Sequence, residues 1–149
     1  MSNLTYAPLP KWQHVCKAIG GSSKSDKELE VPWVLNGEEC FWLSRSSWSL
    51  SLISKFRMHV KSRNNICVWL PGYFCNSSIA PLRDLGATLL FYPILKDGNP
   101  DLSVFDKMLD DGVPDLIVSV HYFGKPTLLE GLREFSAKTQ AWLVEDAAH

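Results

Sequence analysis

The sequence predicts an α/β fold, a three-layer sandwich in which helices cover both faces of a mainly parallel sheet. From residue 40 onward, short apolar segments alternate with longer segments whose apolar residues recur at helical spacing. Only a few residues connect one segment to the next. The short segments are apolar throughout rather than at every second position, which is typical of parallel strands buried on both faces.

The strands are predicted from their composition and from the residues that bound them. Each is a short run of apolar, β-branched or aromatic residues, and several are bounded by proline, glycine or charged residues. In chain order, the predicted strands are residues 40–43, 65–71, 87–94, 115–120 and 141–145.

The first predicted helix, residues 44–60, begins with a cluster of serines, residues that favour helix starts. Its apolar residues recur at helical spacing, so we expect them to face the core. These residues are Leu50, Ile53, Phe56 and Val60.

Three further helices are predicted, at residues 75–86, 99–112 and 126–139. Pro81 fits only in the first turn of its helix, where its missing N–H does no harm. Glycines at the ends of the first two of these helices act as stop signals. We expect seven residues of the last two helices to face inward: Leu102, Phe105, Leu109, Leu128, Leu129, Leu132 and Phe135.

Composition narrows the class of protein. The 149 residues are 46% hydrophobic and 21% charged, with a net charge of -1, as in an ordinary globular chain. Because there is no block of basic residues, nucleic acid and anionic membranes are poor candidates for partners. The N-terminus lacks a signal-peptide pattern, and no apolar stretch is long enough to span a bilayer. We therefore expect a cytoplasmic protein with residues 1–40 irregular and residues 41–149 forming one α/β domain.

The cysteines and histidines show no metal-binding or disulfide pattern. No two cysteines form a C-x-x-C pair, and the histidines lack the spacing of metal ligands. We expect free thiols and no metal site. The four cysteines are Cys16, Cys40, Cys67 and Cys75.

The predicted sheet places four polar clusters at one edge. In a parallel sheet the carboxyl ends of all strands meet there, and ligands bind at that edge. The clusters that follow the strands are residues 44–47, 71–76, 121–124 and 145–149.

Each cluster has a structural and a functional interpretation. The serines at 44–47 could simply cap a helix, or they could bind a phosphate at its positive end. The aromatic residues at 73–74 could be core residues or could stack on a planar ring. His121 ends a strand, where a histidine is more often structural. The chain has no glycine-rich nucleotide motif, which weakens the interpretation of a dinucleotide or nucleoside triphosphate site.

Adjacent residues on a strand point to opposite faces, so Glu145 and Asp146 cannot share one task. We expect one to point away, to a salt bridge or solvent, and the other to point into the site. A carboxylate there could bind Mg²⁺, a ribose hydroxyl or a protonated ring nitrogen.

Four stretches, in order, carry a resemblance: "LSRSSWSLSL", "VWLPGYFCNSS", "VSVHYFG" and "LVEDAAH". Over residues 41–149 the chain resembles the DegT/DnrJ-type sugar aminotransferases, which use pyridoxal 5′-phosphate (PLP) and have the aspartate-aminotransferase fold (fold type I). The resemblance implies a large domain of that fold, PLP as cofactor, and a homodimer when the protein is full length. It also implies a small-molecule substrate, a keto-sugar nucleotide, with glutamate as amino donor.

The resemblance assigns roles to individual residues. It implies that Asp146 holds the proton of the cofactor's pyridine nitrogen and that Glu145 faces away. It places His149 against the cofactor's phenolic oxygen, and Ser46 and Ser47 against its phosphate. The ring-stacking position falls at Cys75, with Phe74 beside it, and either residue could cover the ring.

The resemblance also implies a lysine that forms a Schiff base with PLP, and none of the lysines here stands at a matching position. We therefore expect no catalytic residue in this chain, and expect the chain to be the first, incomplete part of the large domain, without catalysis of its own. The alternative is a non-catalytic α/β module that binds PLP or another protein.

Overall fold

The computed structural model describes residues 12–21, 30–31, 34 and 39–148. The chain divides into two units, Met1–Trp42 and Leu43–His149. In the first unit, helix α1 spans Trp12–Gly20. The expectation that residues 1–40 are irregular is therefore wrong at this stretch, which has no proline and whose only glycine is its last residue.

The second unit contains a parallel sheet. Its strands are β1 (Cys67–Pro71), β2 (Thr88–Tyr92), β3 (Leu116–Val120) and β4 (Trp142–Asp146). Their order is β2-β1-β3-β4, and every neighbouring pair is parallel. The order runs outward in both directions from β1 and β3, as in doubly wound α/β sheets. The predicted parallel sheet is confirmed.

The strand predicted at residues 40–43 is wrong. These residues have no strand structure, and the side chains of Phe41 and Leu43 are 72% and 43% exposed. An apolar run becomes a buried strand only when it pairs with a neighbour, and none of the strands in the described sheet pairs with it.

Helices cover both faces of the sheet. The helices are α2 (Ser46–Val60), α3 (Ala80–Asp84), α4 (Phe105–Met108) and α5 (Glu130–Thr139), with 3-10 turns at Asn76–Ile79, Leu102–Val104 and Tyr122–Gly124. Residues of α2 and α3 pack on one face of the sheet, and residues of α4 and α5 pack on the other. This confirms the three-layer sandwich. Within the described residues, no helix is long and apolar enough to cross a membrane.

The buried face of α2 differs from the predicted one. Leu50 is buried as expected, but Phe56 and Val60 are 57% and 51% exposed. The buried positions are instead Arg57 and three serines: Ser47, Ser51 and Ser54. Arg57 can be buried because its guanidinium donates to the Gln140 carbonyl and lies 4.5 Å from the ring centre of Trp142.

The later helices are shorter than predicted, which changes two inward assignments. Leu102 and Leu128 are 41% and 73% exposed, whereas Phe105 and Leu132 are buried. Leu128 lies in the loop before α5, and its N–H donates to Asn99 Oδ1 at 3.0 Å. The loop conformation, rather than helical spacing, therefore decides the direction of this side chain.

Asp115 joins three elements at the amino ends of the strands. Its Oδ1 accepts from Lys61 Nζ at 2.6 Å, and its Oδ2 accepts from the Cys67 N–H at 2.9 Å. Burial alone would raise the pKa of Asp115, but the bonds from Lys61 and Cys67 outweigh it and hold the pKa below its ordinary value. The ionised carboxylate thus connects the end of α2 to β1 and β3.

Candidate functional site

A cavity of about 340 Å³ opens at the carboxyl ends of the strands, on the face that α2 covers. It contains residues from all four predicted clusters, which lie far apart in sequence. The lining residues are Ser46, Tyr73, Phe74, Cys75, Ser78, Val120, Tyr122, Asp146 and Ala148. Its volume falls within the range of small-molecule sites, about 300–1,000 Å³.

Glu145 and Asp146 face opposite sides of the sheet, as their strand positions predict. Glu145 Oε2 lies 3.1 Å from His121 Nε2, and its Oε1 lies 3.7 Å from a guanidinium nitrogen of Arg133. Asp146 pairs with Val120 in the sheet, and both residues line the cavity. Of these two carboxylates, only that of Asp146 is therefore available to a ligand in this cavity.

The backbone around Asp146 fixes the position of its side chain. The Asp146 carbonyl accepts from the His121 N–H at 2.9 Å, and its Oδ1 accepts from the Ala148 N–H at 3.1 Å. Within the described part of the chain, the second carboxylate oxygen makes no hydrogen bond. The cavity therefore contains a positioned carboxylate oxygen that can accept a proton or a hydrogen bond.

The start of α2 forms another part of the cavity wall. Ser46 is the first residue of α2, is exposed and lines the cavity. Arg45 precedes it in an extended conformation, and its side chain makes no capping hydrogen bond. The first N–H groups of a helix have no partner within the helix and carry its positive dipole end. This wall can therefore bind an anion.

Of the two remaining candidates, Ser47 for the phosphate and His149 for the ring oxygen, the structure describes only Ser47. Ser47 is buried on the side of α2 that faces the sheet, and its side chain does not line the cavity. His149 lies outside the described residues.

The loop after β1 supplies Phe74 and Cys75, the candidates for covering a planar ring. Both line the cavity, and Phe74 also packs partly against the core on the α2 side. Cys75 is exposed, with its Sγ 3.0 Å from Ser77 Oγ. Hydrogen bonds from Ser77, and secondarily from Ser78, lower the pKa of the Cys75 thiol to about 7. All four cysteines are free, as expected.

Tyr122 is a cavity residue that sequence reasoning missed. It is buried, its hydroxyl donates to the Tyr73 carbonyl, and its ring centre lies 5.7 Å from that of Tyr73. Burial, with smaller contributions from Tyr73 and Asp146, raises the pKa of Tyr122 to about 12. The two-residue alternation from Val120 could have identified it, since His121 points to the other side.

His121 has a structural role. Its Nδ1 accepts from the Thr127 N–H at 3.0 Å, so a neutral ring carries its hydrogen on Nε2 and donates it to Glu145. The histidine thus links the end of β3 to β4 and to the loop before α5. The described residues contain no group of three or more His, Cys, Asp or Glu side chains that could hold a metal ion.

Comparison with known proteins gives one family. The model of the DegT/DnrJ/EryC1/StrS aminotransferase family matches residues 58–149, more than half of the chain. This range includes β1–β4 and every residue that lines the cavity except Ser46. No curated protein matches the chain significantly.

Proposed function

Because the chain belongs to the DegT/DnrJ/EryC1/StrS aminotransferase family, we propose that its cavity binds PLP for transamination. The observation that carries this proposal is the position of Asp146. Its carboxylate has an oxygen without a hydrogen bond in the described residues, and it shares one cavity with the uncapped start of α2. One wall suits a protonated nitrogen and the other suits a phosphate, and PLP carries both groups.

Asp146 is proposed to act on the pyridine nitrogen of the cofactor. A nearby carboxylate favours the charged, protonated form of a basic nitrogen. Bound PLP supplies an electron sink, which requires that nitrogen to stay protonated. The bond from the Ala148 N–H to Oδ1 orients the carboxylate, so its remaining oxygen is available to hold the proton.

The start of α2 is proposed to bind the cofactor phosphate. Ser46 contributes its hydroxyl, and the N–H groups of Ser46 and Ser47 contribute the donors of a helix terminus. Ser47 can take part through its backbone even though its side chain faces the sheet. The Arg45 side chain makes no capping hydrogen bond, so it does not compete with a ligand for these N–H groups.

The ring-covering residue is proposed to be Phe74 or Cys75, both of which line the cavity. His149 remains a proposed contact to the phenolic oxygen. Tyr122 is added to these residues because its buried hydroxyl binds the Tyr73 carbonyl and so holds the loop that carries Phe74.

The proposed substrates, oligomeric state and location follow from the family resemblance. We propose a keto-sugar nucleotide as amino acceptor, glutamate as amino donor, a homodimer as the working form and the cytoplasm as location. The amino acceptor and donor would enter the same cavity at different stages, since one cofactor serves both halves of a transamination.

A non-catalytic PLP-binding or protein-interaction module is the second candidate. One observation favours it: among the described residues that line the cavity there is no lysine. Transamination requires a lysine that binds the cofactor covalently and moves the proton. We therefore propose that these 149 residues bind PLP without turning over substrate.

Titration of the 149-residue chain with PLP and with pyridoxal tests the proposal. We expect saturable PLP binding at one site per chain and much weaker binding of pyridoxal, which lacks the phosphate. Borohydride reduction of the complex should leave no stoichiometric adduct at any one lysine. Equal affinity for the two compounds would refute the phosphate site, and a stoichiometric adduct at one lysine would refute the non-covalent assignment.

A further inference from the structure

The loop at residues 121–127 is closed by two hydrogen bonds. The Thr127 N–H donates to His121 Nδ1 at 3.0 Å, and the Thr127 hydroxyl donates to the Val120 carbonyl at 2.7 Å. Thr127 is buried, so water has little access to its N–H. An imidazole nitrogen accepts a hydrogen bond only while it carries no proton. One of the two closing bonds therefore depends on the protonation state of a histidine.

The same loop carries Tyr122 into the wall of the cavity of about 340 Å³. The Tyr122 carbonyl accepts from the Lys125 N–H at 3.0 Å, within the 3-10 turn Tyr122–Gly124. Inside this turn, Phe123 has a φ of 56° and a ψ of 32°, a left-handed conformation that costs free energy in a residue other than glycine. The closing bonds of the loop thus help to maintain a turn that would relax without them.

The other ring nitrogen of His121 has an acidic partner. Nε2 lies 3.1 Å from Glu145 Oε2, and Glu145 Oε1 lies 3.7 Å from a guanidinium nitrogen of Arg133. Glu145 of β4 and Arg133 of α5 are the charged side chains that the described ion pairs bring to this ring. Because the neutral ring already donates from Nε2, a second proton must enter at Nδ1, opposite the Thr127 N–H. Protonation therefore strengthens the contact with Glu145 and breaks the contact with Thr127.

We propose that His121 is a pH-sensitive latch on the loop at residues 121–127. With a neutral ring, Nδ1 holds the Thr127 N–H and the loop is closed. With a positive ring, His121 stays bound to Glu145, the Thr127 N–H is released, and the Thr127 hydroxyl alone closes the loop. The turn that carries Tyr122 then loosens at the cavity wall. Histidines ordinarily change charge between pH 5 and 8, and we expect the loop to loosen over this range.

Amide hydrogen exchange of the 149-residue chain, followed by NMR from pH 5 to pH 8, tests the proposal. Protection factors correct for the intrinsic dependence of exchange on pH. The protection of the Thr127 N–H should fall about five- to tenfold in acid, as expected for loss of one hydrogen bond. The midpoint should coincide with that of the His121 ring protons. The Thr88 N–H, which donates to the Ile66 carbonyl at 2.9 Å, should keep its protection.

Three variants separate the latch from a general effect of acid. His121→Asn places an amide oxygen near the position of Nδ1 but does not titrate, so the protection of Thr127 should not change with pH. Glu145→Gln removes the carboxylate that stabilises the positive ring, so the transition should move to lower pH. Glu134→Gln removes a carboxylate from an exposed position of α5 and should leave the transition in place.

The proposal is overturned if the Thr127 N–H keeps its protection while the His121 ring titrates, or if the ring does not titrate between pH 5 and 8. It is also overturned if His121→Asn loses protection in acid as the unmodified chain does, or if Thr88 loses protection in parallel with Thr127. If circular dichroism shows that His121→Asn does not fold, Glu145→Gln decides. A transition at the same pH as in the unmodified chain then contradicts the latch.

Discussion

Glu145 and Asp146 are neighbours in β4, yet their carboxylates lie on opposite sides of the sheet. Glu145 binds His121 at 3.1 Å, and Asp146 lines the cavity of about 340 Å³. The separation gives one carboxylate a structural task and leaves the other available to a ligand. Substitutions at these two positions should therefore have different consequences for ligand binding.

The thiol of Cys75 should react with iodoacetamide at neutral pH. Since the thiolate is the nucleophile, the rate should rise with pH around a midpoint near 7. Ser77→Ala removes the hydroxyl that stabilises the thiolate, so the midpoint should move toward about 8.5. Peptide mass spectrometry of the labelled protein at several pH values measures the midpoint for the unmodified chain and for Ser77→Ala.

Saturating PLP should slow the labelling of Cys75, because Cys75 lines the cavity. Cys67 begins β1, at the opposite end of the strand from the cavity, so it serves as an internal control whose labelling should not change. Unchanged labelling of Cys75 in saturating PLP would show that PLP binds elsewhere.

Asp115→Asn should lower the free energy of unfolding by about 2 kcal/mol at neutral pH, because the bond from Lys61 loses its ionic partner. Chemical denaturation measures the change. Asp106→Asn is the matched control: the Asp106–Lys138 pair is exposed, and its loss should cost about 0–1 kcal/mol.

The effect of Asp115 should also depend on pH in one direction. Its pKa in the folded chain is lower than its ordinary value, so its stabilisation is complete above the ordinary pKa. The stabilisation is lost as the pH falls through the folded-state pKa. The difference in stability between the chain and Asp115→Asn should therefore be full at pH 7 and shrink in acid. A difference that grows in acid would contradict the assignment.

Arg57→Met should destabilise the second unit by about 1–2 kcal/mol, because it keeps the apolar stem but removes the donor to the Gln140 carbonyl. Lys55→Met, at an exposed position of α2, should be nearly neutral. Thermal unfolding of the two variants distinguishes them. Equal stability of the two variants would contradict the stabilising role of the hydrogen bond from Arg57 to Gln140.

The alternation of segments predicted the fold because each strand is apolar throughout and each has a helix beside it. The buried face of α2 could not be predicted in the same way. Apolar spacing favoured Phe56 and Val60. Arg57 is buried instead, because its guanidinium donates to the carbonyl of Gln140, 83 residues away in sequence. Such a partner is determined by tertiary contact and has no local signal.

The cavity was predictable where topology alone defines it. Ser46 and Asp146 were expected at one edge because all parallel strands end there. Tyr122 was missed although the two-residue alternation from Val120 indicates its side of the sheet. The bond from its hydroxyl to the Tyr73 carbonyl, which holds it at the cavity, is a contact between loops and has no local signal in the sequence. Residue type and strand order therefore predict which loops meet, whereas the contacts between loops decide which side chains line the space.

The most direct test of the cofactor site compares PLP binding by Asp146→Asn and Glu145→Gln. Both variants remove one carboxylate charge from β4, but only Asp146 lines the main cavity with Ser46, Phe74 and Cys75. Equilibrium titration should show that Asp146→Asn weakens PLP binding about tenfold or more. Glu145→Gln should bind PLP as the unmodified chain does. Equal PLP affinity for Asp146→Asn and the unmodified chain, with both verified as folded, would contradict the assignment of Asp146 to the cofactor.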